Sequence, residues 1–96
     1  MSETITKAVA ALNEKLAGEG YDGNAKFVIE GEGAIIVDEN GARAGDDEAD
    51  VTMTADEDTF GEILDGSLNP TAAFMSGRLT VDGDMAQALK LGAALS

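Results

Sequence analysis

Carboxylates are the largest group of side chains here that could do polar chemistry, and seven of the 19 gather in two clusters. Asp46, Asp47, Glu48 and Asp50 share one stretch; Asp56, Glu57 and Asp58 share the next. Carboxylates so close together could hold a divalent cation or divide the roles of general acid and base. Calcium coordination of the EF-hand type needs oxygens at alternate positions, a glycine at the sixth and a glutamate at the twelfth. A frame begun at Asp38 supplies Asp38 and Asn40, then meets Ala42 and Arg43 where an oxygen and the glycine belong. The pattern fails. A loose divalent site among 46–50 stays open beside the plainer reading, a solvated loop. The second cluster has a structural reason, since acids in the first turn of a helix offset its dipole. Histidine and cysteine are both absent. That removes the commonest general base near neutral pH, any thiolate nucleophile and any zinc–sulfur site. Gly18-Glu19-Gly20 and Gly31-Glu32-Gly33 lack phosphate-loop spacing and place a glutamate where an anion would sit. Neither an enzyme nor a cofactor is expected.

The charge balance excludes more. Nineteen acids face six bases, for a net charge of −13 and a pI near 4.1. Nucleic acid is not an expected partner, because affinity for phosphate backbones rests on Lys and Arg. No base falls between Arg43 and Arg78, an interval that holds nine of the acids. Such a surface suits high salt: at 1 M the Debye length falls to about 3 Å and screens repulsion between carboxylates. A halophile-like acidic protein is the expectation. No apolar run approaches the ~18 residues of a membrane span. The start, MSETITKAVAALNEKLAGEG, is patterned unlike a signal peptide, so a cytoplasmic location is expected. Ninety-six residues, 44% of them apolar, predict one domain, 1–96, with a small core.

The elements that must position these residues are legible from periodicity. Ile5, Val9, Leu12 and Leu16 form one stripe of a helix capped by Ser2 and ended by Gly18 and Gly20, with Glu3 and Lys7 an i,i+4 pair on its wet side. A loop at 21–24 follows. Ala25, Phe27 and Ile29 alternate as a half-buried strand. Ala34–Asp38 is nearly all apolar and reads as a central strand covered in part on both faces. Asn40-Gly41 signals a hairpin into a short strand at 42–45. Val51 and Met53 alternate inward on a fourth strand, and Thr54 with Glu57 reads as a capping box for a helix ended by Gly66. Asn69-Pro70 opens a short helix that Gly77 ends. Residues 78–82 alternate as a fifth strand, and Asp84 with Gln87 forms a second capping box for the closing helix. Short turns predict antiparallel pairing among the first four strands, and a helical crossover leaves the fifth free to pair parallel. The result is an α+β plan, a mixed and mostly antiparallel five-stranded sheet with helices covering one face. Phe60, Ile63, Leu64, Phe74, Met75, Met85, Leu89 and Leu95 are expected on the inner sides of three helices. Taken alone, they are either core or the flexible lining of a pocket.

The density of motifs over Asp50–Leu91 resembles the sterol carrier protein type 2 family, the SCP2 sterol-binding domain. The shared positions are Asp50 and Thr52, then Phe60, then Gly66, Leu68, Asn69 and Pro70. They continue through Ala73, Phe74, Gly77, Arg78, Leu79, Val81, Gly83, Asp84, Ala88 and Leu91. The resemblance implies an apolar tunnel between sheet and helices that takes fatty acids, fatty acyl-CoA, sterols or other lipids without covalent chemistry. Carried over by position, its lining is Val51, Met53, Phe60, Leu64, Phe74, Met75, Met85 and Leu89. Ile35-Ile36 stands where many members carry a tryptophan, which removes bulk near the tunnel. The end, Ala94-Leu95-Ser96, is not a peroxisomal tail. With the acidity, this suggests a stand-alone prokaryotic member.

The leading expectation is a monomeric, non-enzymatic lipid carrier that makes transient membrane contact. The alternative is a protein-interaction or accessory module with a filled core, docking through its apolar face and the acidic 46–65 surface.

Overall fold

The computed structural model describes residues 3–16 and 23–95, with side chains described up to residue 92. The Ser2 cap, the Gly18 and Gly20 stops, the first half of the 21–24 loop and the side chain of Leu95 lie outside the described residues. The element order is α1 (Glu3–Lys15), β1 (Ala25–Ile29), β2 (Gly33–Asp38), β3 (Gly41–Ala44), β4 (Val51–Ala55), α2 (Glu57–Asp65), α3 (Pro70–Met75), β5 (Thr80–Gly83) and α4 (Met85–Leu95). It is an α+β architecture built on one five-stranded sheet, in the order β3-β2-β1-β4-β5. Among the described residues, no helix is long and apolar enough to cross a membrane.

The sheet is mixed for a different reason from the one expected. β5 runs antiparallel to β4, with Met53 opposite Val81. The parallel pair is β1 with β4, with Phe27 opposite Met53. β3 and β4 are joined by a short loop yet do not pair. The loop at 45–50 leaves the far edge of the sheet and crosses to the other side of β1. Its course is marked by Gly45 N–H donating to the Ala34 carbonyl at 3.1 Å and Asp50 N–H to the Asn24 carbonyl at 3.0 Å. Midway, Lys26 Nζ meets Asp46 Oδ1 at 2.9 Å on the face away from the helices. β1 is thereby flanked by β2 and β4 and becomes the centre of the sheet. The same loop explains Ile36, which faces away from the helices and is still only 2% exposed. Lys26 and Arg43 sit across from it on the neighbouring strands. The expected cover on both faces of this strand is thus supplied partly by a loop.

On the other face the inward residues of β1, β2 and β4 meet the helices. Ile5 and Leu12 of α1, Ile63 of α2 and Leu91 of α4 join Phe27, Ile35, Val37 and Val51 in one buried cluster. The ring of Phe60 meets Phe27 edge-on, with centroids 5.1 Å apart and planes at 61°. The Glu3–Lys7 pair forms at 3.2 Å on the wet side of α1, where both partners stay largely exposed and add little.

The caps hold with two changes. Asn69 Oδ1 accepts from Thr71 N–H at 2.8 Å, with Pro70 at the first helical position. α2, however, is capped by Asp56, whose carboxylate accepts from Thr59 N–H at 2.7 Å. Thr54 cannot cap it because β4 continues to Ala55, whose carbonyl accepts from Glu30 N–H at 3.0 Å. Asp84 Oδ1 caps α4, accepting from Ala86 and Gln87 N–H at 3.0 and 3.4 Å. The reciprocal half of that expected box is replaced: Gln87 Nε2 donates to Asp50 Oδ2 at 3.1 Å, and its Oε1 accepts from Asn24 N–H at 3.2 Å. Gln87 therefore ties α4 to the start of β4 rather than to its own cap.

One polar contact went unread in the sequence. Asn13 of α1 reaches the edge strand β3, donating from Nδ2 to the Ala42 carbonyl at 3.0 Å and accepting from Ala42 N–H at 2.8 Å. Its amide takes the place of a neighbouring strand on an edge that would otherwise invite pairing with another chain. Asn13→Ala leaves both backbone groups without these bonds and is expected to cost about 2 kcal/mol. Chemical denaturation should show it as a lowered midpoint with an unchanged slope.

Candidate functional site

α3 and α4 stand on the β5 end of the sheet with a narrow cleft between them. Met53 of β4, Val81 of β5 and Leu79 form its floor; Phe74, Met85 and Leu89 form its walls, with Pro70, Thr71, Ala88 and Gly92 closing the remainder. The enclosed volume is about 30 Å³, room for a water or two and far below the roughly 300–1,000 Å³ of a small-ligand site. The closeness has a local cause. Gly92 has no side chain, and a Cβ there would lie 3.6 Å from Pro70 Cβ, so the two helices approach at this point.

The walls are apolar and wet. Phe74 is 40% exposed, Met85 42% and Leu89 57%, so the cleft has an apolar mouth open to solvent. Helical geometry accounts for this. α4 turns Ala88 and Leu91 to the core, which leaves Met85 and Leu89 at its margin. In α3, which has only six residues, the buried residue is Ala73. At about 100° per residue, Phe74 falls beside the core and Met75 beyond it. Met75 is 81% exposed. The expectation of an inner-facing Met75 is corrected accordingly.

The other positions divide in two. Met53, Phe74, Met85 and Leu89 come together in the cleft. Val51 and Phe60 are buried in the core. Leu64 is half-buried and, together with Phe60, lines a different hollow, a wide trough between α1 and α2 of about 570 Å³. Acids rim that trough: Glu3, Glu57, Asp58, Glu62 and Asp65 all border it. Thr4 Oγ1 donates across it to Glu57 at 3.1 Å. The trough's apolar lining, Ala8, Ala11, Phe60 and Leu64, is interspersed with Thr4, Lys7 and these acids. Leu79, Val81, Pro70, Thr71, Ala88 and Gly92 were missed as lining, although the i, i+3, i+7 spacing of Met85, Ala88 and Gly92 carried the signal for two of them.

Four of the six basic groups are paired with carboxylates. Arg78 Nε donates to the buried Thr59 hydroxyl at 3.2 Å, and its guanidinium pairs with Glu62. The hydrogen bond to Glu62 pushes the Arg78 pKa up. Backbone and hydroxyl donation from Thr59 holds Asp56 below the usual carboxylate range. The Arg43 guanidinium, 2.7 Å from Asp38, does the same for that residue, and hydrogen bonding from Ser67 for Asp65. Among the described residues, no group of three or more acids converges on a cation position.

Comparison with known proteins shows the family. Residues 5–96 match the SCP-2 sterol transfer family. The chain belongs to that family. Among curated relatives, the hydroxysteroid dehydrogenase-like protein 2 of Bos taurus is 40% identical over 93 residues, a match that takes in 95% of this chain and 21% of that protein. The Homo sapiens protein of the same name is 38% identical over 93 residues, with the same coverage of both chains. The chain thus spans about a fifth of the length of those relatives. Among solved structures, sterol carrier protein 2 of Aedes aegypti in complex with palmitate superposes at a TM-score of 0.76 with 22% identity, covering 100% of this chain and 97% of that one. The apo form from Yarrowia lipolytica superposes at 0.73 with 18% identity, covering 99% and 93%. The five-stranded mixed sheet with its helices is the SCP-2 fold, as the resemblance implied.

Proposed function

We propose that this chain binds a long apolar ligand in the cleft between α3, β5 and α4, without covalent chemistry, and releases it to an acceptor. The fatty acid in the Aedes aegypti complex and the family membership support lipid as the ligand class. The observation that carries the choice of site is the run of Phe74, Met85 and Leu89, apolar and exposed, over the buried Met53. Burial of each methylene contributes ~0.8 kcal/mol. A chain of lipid length needs more room than the cleft encloses, so α3 and α4 must part to admit it. Gly92 against Pro70 is the contact that opens. Native mass spectrometry of the purified protein tests the reading, together with titration by an acyl fluorophore. A saturable one-to-one complex is expected. A protein that carries no apolar ligand and fails to take up the fluorophore would sink it.

We propose further that the acidity is a salt adaptation. At low salt the net charge of −13 opposes compaction, and molar salt screens it. The melting temperature should rise between 0.1 and 2 M KCl, where each 1 kcal/mol gained is worth about 4–8 °C at this chain length. A flat curve in scanning calorimetry would rule this out.

A further inference from the structure

The rim of the cleft decides which lipids can use it. None of the six basic residues lines it. Lys26 is held by Asp46 on the opposite face of the sheet, Arg43 by Asp38 near the far edge, and Lys7 by Glu3 on α1. Arg78 is turned to Glu62 and Thr59 of α2. Lys15 borders a hollow at the end of α1 together with Glu14 and Leu64. Lys90 lies on α4 about 100° beyond Leu89, on the side away from the core residues Ala88 and Leu91. An anionic head group could instead seek free backbone N–H groups at a helix start. Both helix starts beside this cleft are already filled: Asn69 caps α3, where Pro70 and Thr71 form the wall, and Asp84 caps α4 next to Met85. The second cap is itself a carboxylate, whereas Asp82, opposite Thr52, belongs to the other face of the sheet. Among the described residues, the single polar side chain in the lining is that of Thr71.

From this arrangement we infer that the cleft selects uncharged lipids carrying at most a hydroxyl or carbonyl oxygen, and discriminates against anionic amphiphiles of the same chain length. The inference rests on the lipid-binding reading above and narrows it. A carboxylate or phosphate at the mouth would meet the Asp84 carboxylate beside Met85 and no counter-charge. An alcohol, ester or sterol-like ring would lose nothing and could share a hydrogen bond with Thr71.

The test uses the whole chain and three ligands of equal length: dodecanol, methyl dodecanoate and dodecanoate. Each competes at pH 8 with an uncharged fluorescent probe, in 0.1 M and in 2 M KCl. The alcohol and ester are expected to bind roughly tenfold or more tightly than the carboxylate at low salt, because like charges are brought together only for the latter. Screening should narrow the gap at 2 M. Thr71→Lys should shift the carboxylate-to-alcohol ratio by roughly tenfold toward the carboxylate. A gap that arises only from the lower hydrophobicity of the ion would respond to neither salt nor the new lysine, and that result overturns the inference. Equal affinities at low salt overturn it too, while leaving lipid binding intact. Failure of all three ligands to displace the probe, or of the probe to bind, overturns the lipid-binding reading as well.

Discussion

Leu89→Asp is expected to weaken binding of an apolar chain by roughly 100-fold and leave the fold standing. Leu89 is more than half exposed, so the folded state loses little apolar burial when it is replaced. In a complex the same residue is a wall of the cleft. A carboxylate there must keep its water, and it denies burial to three or four neighbouring methylenes. At ~0.8 kcal/mol each, that is about 3 kcal/mol, or two orders of magnitude in affinity. Titration with the acyl fluorophore measures the loss, and circular dichroism checks the fold. Leu64→Trp is the companion control. Leu64 borders the α1–α2 trough, which has room for an indole, and should leave the titration unchanged. If Leu64→Trp abolishes binding and Leu89→Asp does not, the ligand lies in the trough and the site assigned above is wrong. If Leu89→Asp unfolds the protein, Leu89 is core in solution.

Gly83→Ala should cost more than about 3 kcal/mol, a substantial part of the 5–15 kcal/mol that holds a domain together. Two costs coincide. Gly83 has φ +109°, a conformation side chains rarely adopt. A Cβ there would also lie 2.5 Å from the Asp50 carbonyl oxygen and 3.1 Å from Val51 Cα, atoms of the paired backbone that cannot swing aside. This is the point where β5 meets β4, opposite Val51, and where Asp84 N–H donates to the Asp50 carbonyl at 3.0 Å. The loss should therefore fall on β5 and α4, the floor and one wall of the cleft. A drop of roughly 10–20 °C in melting temperature is expected, with hydrogen-exchange protection lost first over 80–92. A variant that melts with the parent would show that β5 does not pair as described.

The core helices and strands were legible because each buries one face of a regular period. Ile5, Leu12 and Leu16 at helical spacing, and Ala25, Phe27 and Ile29 at strand spacing, are all buried as their pattern requires. The cleft was legible only in part. Periodicity says which residues are apolar neighbours on an element, not which side of the element meets the core. So Met75 is expected inside and is exposed, whereas Leu79 and Val81 are legible as strand and family positions but not as lining. Phe60 and Met53 show the same limit in reverse. Both are inward-facing, but one packs on Phe27 and borders the α1–α2 trough, while the other reaches the cleft floor.

The sequence by itself determined the family, the fold class, the Asn69 and Asp84 caps, the hairpin at Asn40-Gly41 and the chemistry denied by the lack of cysteine and histidine. These rest on local rules, turn conformation and capping, or on the inventory of side chains, which no folding can alter. Tertiary structure alone decided that β4 pairs parallel to β1. It also decided that the 45–50 loop covers Ile36, that Asn13 guards the β3 edge, and that Gln87 bridges to Asp50 and Asn24. Each of these joins residues more than ten positions apart or turns on the path of a loop. A short loop permits an antiparallel neighbour without compelling one. The chain crosses the sheet here because central β1 then packs its inward side chains against the helices while β2 and β4 satisfy both of its edges.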